Sequence, residues 1–276
     1  MEYDPKLPAD GINTTDENPL REFALLIAGL VGVALALIAI AALAVDRLVP
    51  LVPPSLEARW FGGIAEAIAA EDPRSAPVQA LVDRLVAHWD DAPYPFHVGV
   101  LDGEPDPNAL ALPGGAILVT SGLLDQVGSE NELAQVLGHE LGHFRDRDHL
   151  RGLGRGLAAQ LVLGAIGGSG ELVSGLSAFA GALAQRGFDR RQERQADAFG
   201  LALVQAEYGH VAGAGDFFAR LAQSDHELRA AGRRLARYLE THPSHEDRVS
   251  ALAAEAAAHG WPTAGPLTPW LHPFTE

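Results

Sequence analysis

The sequence has no cysteine. It can therefore build neither a disulfide framework nor a thiolate metal site, and a transition metal bound here must be held by histidine and carboxylate. It is also short of positive charge, with 20 Lys and Arg against 36 Asp and Glu, a formal charge of −16. That balance excludes a general attraction to nucleic acid or to anionic lipid. Aromatic residues make up only 7% although 47% of the chain is apolar. The apolar content is carried by Ala, Leu and Val, a bias of helical and membrane-associated chains. No internal repeat is visible, and 276 residues suit one substantial domain with appendages.

Charge is absent altogether from Phe23 to Val45, an apolar run of 23 residues. As a helix it is long enough to cross the roughly 30 Å hydrocarbon layer of a bilayer, so it reads as a transmembrane anchor. Ala42-Leu43-Ala44 has the small-x-small spacing of a signal-peptide cleavage site. The preceding residues are acidic rather than basic, however, and the run is too long for a signal, which favours an uncleaved anchor. Lys6 and Arg21 on one flank are matched by Arg47 and Arg59 on the other, so the positive-inside rule does not choose the orientation.

Residues 1–22 form an acidic tail expected to be disordered, and Pro50, Pro53 and Pro54 mark a stiff connector over 46–58. A domain is expected over 59–276. Within it, apolar spacing predicts helices near Leu56–Ala70 and Pro77–Trp89. Strands are predicted at Phe96–Leu101, Ala109–Leu112 and Ala116–Thr120, the last two around Pro113-Gly114-Gly115. Glu130–Arg145 reads as a helix opened by Ser129 and Glu132 in capping-box spacing, with Leu133, Val136, Leu137, Leu141 and Phe144 as its buried stripe. A second helix is predicted from Arg190 to Tyr208, ended by Gly209. Between these two, 156–185 is apolar with Glu171 as its only charge, and it reads as a helical hairpin packed on the domain or lying against the bilayer, the packed form being preferred. The fold class is α+β, mainly helical, with a small sheet and one N-terminal transmembrane helix.

The chemistry lies in Gly138-His139-Glu140-Leu141-Gly142-His143. Histidines four apart on a helix project from one face and can bind one ion, while Glu140 beside them can take a proton from an attacking water. Gly142 leaves room near the metal. A catalytic zinc takes three protein ligands, and the candidate third is Glu193 in Glu193-Arg194-Gln195-Ala196-Asp197. Asp197, one turn on, is placed to hold a ligand histidine through its other nitrogen, with His139 as the expected partner. Asp146, Arg147, Asp148 and His149 read as a solvated helix end.

The chain resembles the membrane-associated zinc endopeptidases of the HtpX, BepA and CAAX-prenyl-protease type, which are gluzincins. The resemblance rests on Asn108 to Gly115, Thr120-Ser121-Gly122-Leu123-Leu124, the His139–His143 helix, Glu193 to Asp197, and Thr241-His242-Pro243 followed by Arg248. It implies a zincin-type domain holding one zinc ion. It also implies an edge strand at Ala116, Ile117, Leu118 and Val119 that aligns an extended polypeptide substrate. His242 is implied either as a catalytic group near the scissile carbonyl or as a resting-state fourth zinc ligand, with His245 a weaker candidate.

The expected function is zinc-dependent hydrolysis of unfolded or misassembled proteins near the membrane, in protein quality control. The alternative is a zinc-bound chaperone or assembly factor with a plugged site. A single span sets the chain apart from the multi-spanning prenyl proteases. The single-span relatives imply a cell-membrane protein with an extracytoplasmic, periplasmic-side domain.

Overall fold

The structure is a computed structural model, and it describes residues 18–68, 74–167, 190–230 and 245–270. Most of the acidic tail, His242 and residues 168–185 of the expected hairpin lie outside the described residues. The first helix, α1 (Pro19–Leu48), starts at Asn18, whose side-chain oxygen accepts the N–H groups of Leu20 and Arg21. It takes in the last residues assigned to the tail. Of its 30 residues only Ala34 is buried, so this is not the core helix of a soluble domain. At about 45 Å it is long and apolar enough to cross a membrane.

The connector is tighter than the sequence suggests. A short 3₁₀ turn at Val49–Leu51 leads within three residues into α2 (Pro54–Ile68), with Pro54 opening the helix, where a missing N–H costs nothing. Helix α3 (Ser75–Val86) buries Val78, Leu81, Val82 and Leu85 against the sheet.

Three strands follow: β1 (His97–Leu101), β2 (Ala109–Leu112) and β3 (Ala116–Thr120). Their order is β1-β3-β2, with β1 parallel and β2 antiparallel to β3. Ala116, Ile117, Leu118 and Val119 are therefore in the central strand, paired on both sides, and cannot be the free edge expected from the resemblance. The near-continuous burial of this apolar run fits that central place. The edges are β1 and β2. Gly114 and Gly115, at φ 88° and 90°, make the turn between β2 and β3, and a Cβ on Gly115 would lie 2.6 Å from the Pro95 carbonyl oxygen.

Helix α4 (Ser121–Gln126) is capped by Thr120, and α5 (Glu130–Asp146) by Ser129, whose Oγ accepts the Glu132 N–H at 3.3 Å. The capping box is displaced by one residue, since the Glu132 carboxylate accepts from Gly128 N–H at 2.9 Å rather than from Ser129. Every residue from Asn131 to Phe144 is buried, so α5 runs through the centre of the domain instead of presenting one apolar stripe. Arg147, at φ 58°, ends it in the left-handed conformation.

Helix α6 (Asp148–Gly167) turns back from there. A Cβ on its Gly154 would meet Val45, and its Arg155 bonds Asp46, while Arg147 just before it bonds the Val49 and Val52 carbonyls. Helix α6 thus runs antiparallel along α1, with Leu157 and Leu161 exposed. Residues 156–167, the described part of the segment expected to form a hairpin, thus belong to a helix that lies along α1.

Helix α7 (Arg190–Tyr208) crosses α5 and ends at Gly209, whose N–H returns to Gln205 O. Helices α8 (Asp216–Ala230) and α9 (His245–His259) close the far side. Phe217, Phe218, Leu252 and Ala256 join the core there.

Candidate metal centre

Helices α5 and α7 approach until their backbones touch. A Cβ on Gly142 would lie 2.6 Å from Ala196 Cα, one on Gly138 2.8 Å from Gly200 Cα, and one on Gly200 2.7 Å from His139 N. Gly142 therefore makes room for α7 rather than for the metal, contrary to the expectation from the motif. Two small-xxx-small pairs, Gly138/Gly142 and Ala196/Gly200, form this seam. It brings Glu193, near the start of α7, over the two histidines of α5.

The Nε2 atoms of His139 and His143 are 3.1 Å apart. Glu193 Oε2 lies 3.6 Å from the first and Oε1 3.5 Å from the second. All three residues are buried, and the donor atoms lie within 4.8 Å of one another. Ligands held about 2.0 Å from a tetrahedral ion are about 3.3 Å apart, so the spacing fits a small divalent cation.

Carboxylates face the other ring nitrogens. His139 Nδ1 lies 2.8 Å from Asp197 Oδ1, and His143 Nδ1 3.1 Å from Asp148 Oδ2. An ionised carboxylate can only accept, so the His143 Nδ1 facing Asp148 carries a proton, whereas His139 Nδ1 faces both the Asp197 carboxylate and, at 3.0 Å, the Arg248 Nη2 donor. Both Nε2 atoms converge with the Glu193 carboxylate, an arrangement that suits a bound cation. The surroundings shift the two histidines in opposite directions. Burial, followed by the Arg248 charge, pushes His139 down to about 3. Burial works in the same sense on His143, but hydrogen bonds to Asp148 and Glu193 and the charges of Glu193 and Glu140 outweigh it and raise that residue to about 10.

Asp148 and His149 are buried, not solvated. Asp148 holds His143 with Oδ2, while its Oδ1 accepts from Gln192 Nε2 and, at 3.4 Å, from Arg151. His149 Nε2 lies 2.6 Å from Glu57 Oε1, which also accepts from Tyr94 Oη and from Gly114 N–H. Arg248, near the start of α9, is buried and donates through Nε to Asp197 Oδ2 at 3.0 Å and through Nη2 to Oδ1. Its Nη1 is 3.6 Å from Glu193 Oε2, and its guanidinium sits 3.9 Å over the Phe218 ring. Burial pulls the Asp197 carboxyl up, but the Arg248 charge and His139 outweigh it and hold it below the usual carboxylate range. Arg248 has no neighbour in sequence that would announce this role. Only the late His-Pro element pointed to it.

Glu140 is buried beside the trio, and its Oε2 accepts the Ala111 N–H at 2.9 Å. That bond leaves β2 on the side opposite β3, so the edge that faces this centre is β2.

A family profile, peptidase family M48, matches residues 72–256. The mitochondrial metalloendopeptidase OMA1 of Arabidopsis thaliana is 37% identical over 155 residues, 54% of this chain and 30% of the relative. A putative beta-barrel assembly-enhancing protease of Vibrio cholerae is 32% identical over 63% of this chain and 37% of its own. Metalloprotease LoiP of Escherichia coli is 29% identical over 56% of this chain and 61% of its own. The chain thus spans less than two thirds of the length of each of these relatives. Because the profile runs from ahead of α3 into α9 and encloses His139, Glu140, His143, Asp148, Glu193, Asp197 and Arg248, the chain belongs to peptidase family M48.

Proposed function

We propose that this chain is a membrane-anchored zinc endopeptidase that cleaves unfolded or misassembled polypeptides close to the bilayer, in protein quality control. The observation that carries the reading is the convergence of two Nε2 atoms and a carboxylate beside a further buried acid, Glu140. His139, His143 and Glu193 would hold the ion, the donor set being nitrogen and oxygen only, as zinc accepts. Zinc bound there would supply Lewis acidity to the scissile carbonyl and to the attacking water.

Glu140 then takes the proton of that water and delivers it to the departing amine. Asp197 and Asp148 keep the imidazoles oriented, and Arg248 pins Asp197 and Glu193. The β2 edge, through the main chain of Ala109 and the carbonyl of Ala111, offers backbone groups to an extended peptide, a mode that selects for lack of structure rather than for sequence. His242 remains the candidate for the oxyanion or for a resting-state fourth ligand. Helix α1 would anchor the domain, which we place over 59–276 on the extracytoplasmic side.

One observation favours a latent form. His139, Glu140, His143 and Glu193 are all buried, so a substrate must first open the site. A zinc-bound chaperone with a plugged centre would share that feature.

Cleavage of casein by the purified full chain and by Glu140→Gln, with zinc measured on both, separates the readings. Turnover lost while zinc is kept supports the peptidase. Zinc on both with no cleavage by either favours the chaperone, and no zinc on the wild type rejects both.

A further inference from the structure

Beside the metal centre a cavity of about 520 Å³ opens between the end of α5, the starts of α6 and α7 and the end of α1. Its walls carry Arg145, Arg147, Arg151, Arg155 and Arg191. Five of the 20 basic residues of an otherwise acidic chain thus meet in one place.

Two acids share the lining, Asp46 and Asp146. Asp46 pairs with Arg155, and Asp146 forms two hydrogen bonds with Arg145. Behind the wall, Glu57 meets Arg147 at 3.3 Å and Asp148 meets Arg151 at 3.4 Å. Within the lining arginine outnumbers acid five to two. Arg151 is not saturated: its Nε is shielded from solvent and has no hydrogen-bond partner.

Position adds a second argument. Asp46 and Pro50 lie where the apolar helix ends, and Leu48 and Leu51 are exposed there. With α1 across a bilayer, that end falls at the level of the headgroups. Forked guanidinium groups match the oxygens of a phosphate.

We propose that this cavity is a binding site for a phosphate group, presented by an anionic phospholipid headgroup or by free phosphate. The overall charge of −16 excludes general adhesion to anionic lipid, but a cavity of this kind concentrates the opposite field locally.

The test uses the full chain in nanodiscs, reading the thermal unfolding midpoint. Phosphatidylglycerol is added to a phosphatidylcholine bilayer in one arm, and inorganic phosphate is titrated onto pure phosphatidylcholine discs in the other. A rise in the first arm alone assigns a headgroup, and a rise in the second assigns the free ion. Arg151→Gln should weaken the response about tenfold in apparent affinity, the loss of one charge-assisted hydrogen bond. Arg145→Gln, on the rim, is the second variant, so the outcome does not hang on one substitution folding. Arg59→Gln, exposed and outside the cavity, should respond as the wild type does. The proposal fails if neither arm raises the midpoint, if both cavity variants respond as the wild type does, or if Arg59→Gln loses the response equally. The phosphate arm can be repeated in neutral detergent, so this failure is distinct from failure of the anchor or peptidase readings.

Discussion

The two imidazoles of the centre are held by different devices. His139 relies on Asp197, which lies on the other helix and is pinned by Arg248. His143 relies on Asp148, five residues ahead in its own sequence. Asp197 was legible because its spacing from Glu193 is one helical turn. Asp148 was not, because the chain reverses through the left-handed Arg147 and helical periodicity stops there. Both carboxylates should matter alike. Asp148→Asn and Asp197→Asn are each expected to weaken metal affinity about 10–100-fold, measured by competition with a chromophoric chelator. An unchanged affinity in Asp148→Asn would remove that residue from the centre.

At the scale of elements, the seam between α5 and α7 decides whether the third donor reaches the first two. Gly142→Ala puts a methyl 2.6 Å from Ala196 Cα, where only backbone can yield. Overpacking of this kind is expected to cost about 1–3 kcal/mol, and the helices should part enough to lose metal as well. Gly152→Ala in α6 meets nothing within 4 Å and should stabilise by about 0.5–1 kcal/mol through helix propensity. Denaturant melts of both variants check the contrast.

Helices and strands were largely legible, since α5, α7 and all three strands fall within a residue or two of the periodic runs that predict them. The order of the strands was not. Alternation tells which face of a strand is buried, but nothing in Ala116–Thr120 records that β1 pairs with it from one side and β2 from the other. The seam was present in the sequence as two small-xxx-small pairs, although its meaning required knowing that the two helices cross.

Across the whole molecule, Glu57 joins parts distant in sequence. It is buried and bonded to His149, Tyr94, Gly114 N–H and Arg147. Burial alone would raise its pKa, but the His149 hydrogen bond and charge, with the Gly114 and Tyr94 bonds, outweigh it and leave the carboxyl lowered. A lowered folded-state pKa contributes stability that is full above the ordinary carboxylate pKa of about 4.3 and is lost as pH falls through the folded value. Thermal melts from neutral pH down to about pH 3 should therefore show the wild type losing stability more steeply than Glu57→Gln over that acidic window. Parallel curves would assign the acid sensitivity to other carboxylates.

Arg147 ties the end of α5 to the Val49 and Val52 carbonyls, and His143 stands one helical turn before it, about 6 Å along the axis. With α1 in a bilayer and α6 folded back along it, the catalytic helix is not a head on a loose tether. Under the proposed anchoring its height above the lipid would be set by the fold, and the membrane would become a ruler. A polypeptide segment would qualify for cutting by its distance from the surface, so a loop held far above the bilayer would be spared even when its sequence suits the site.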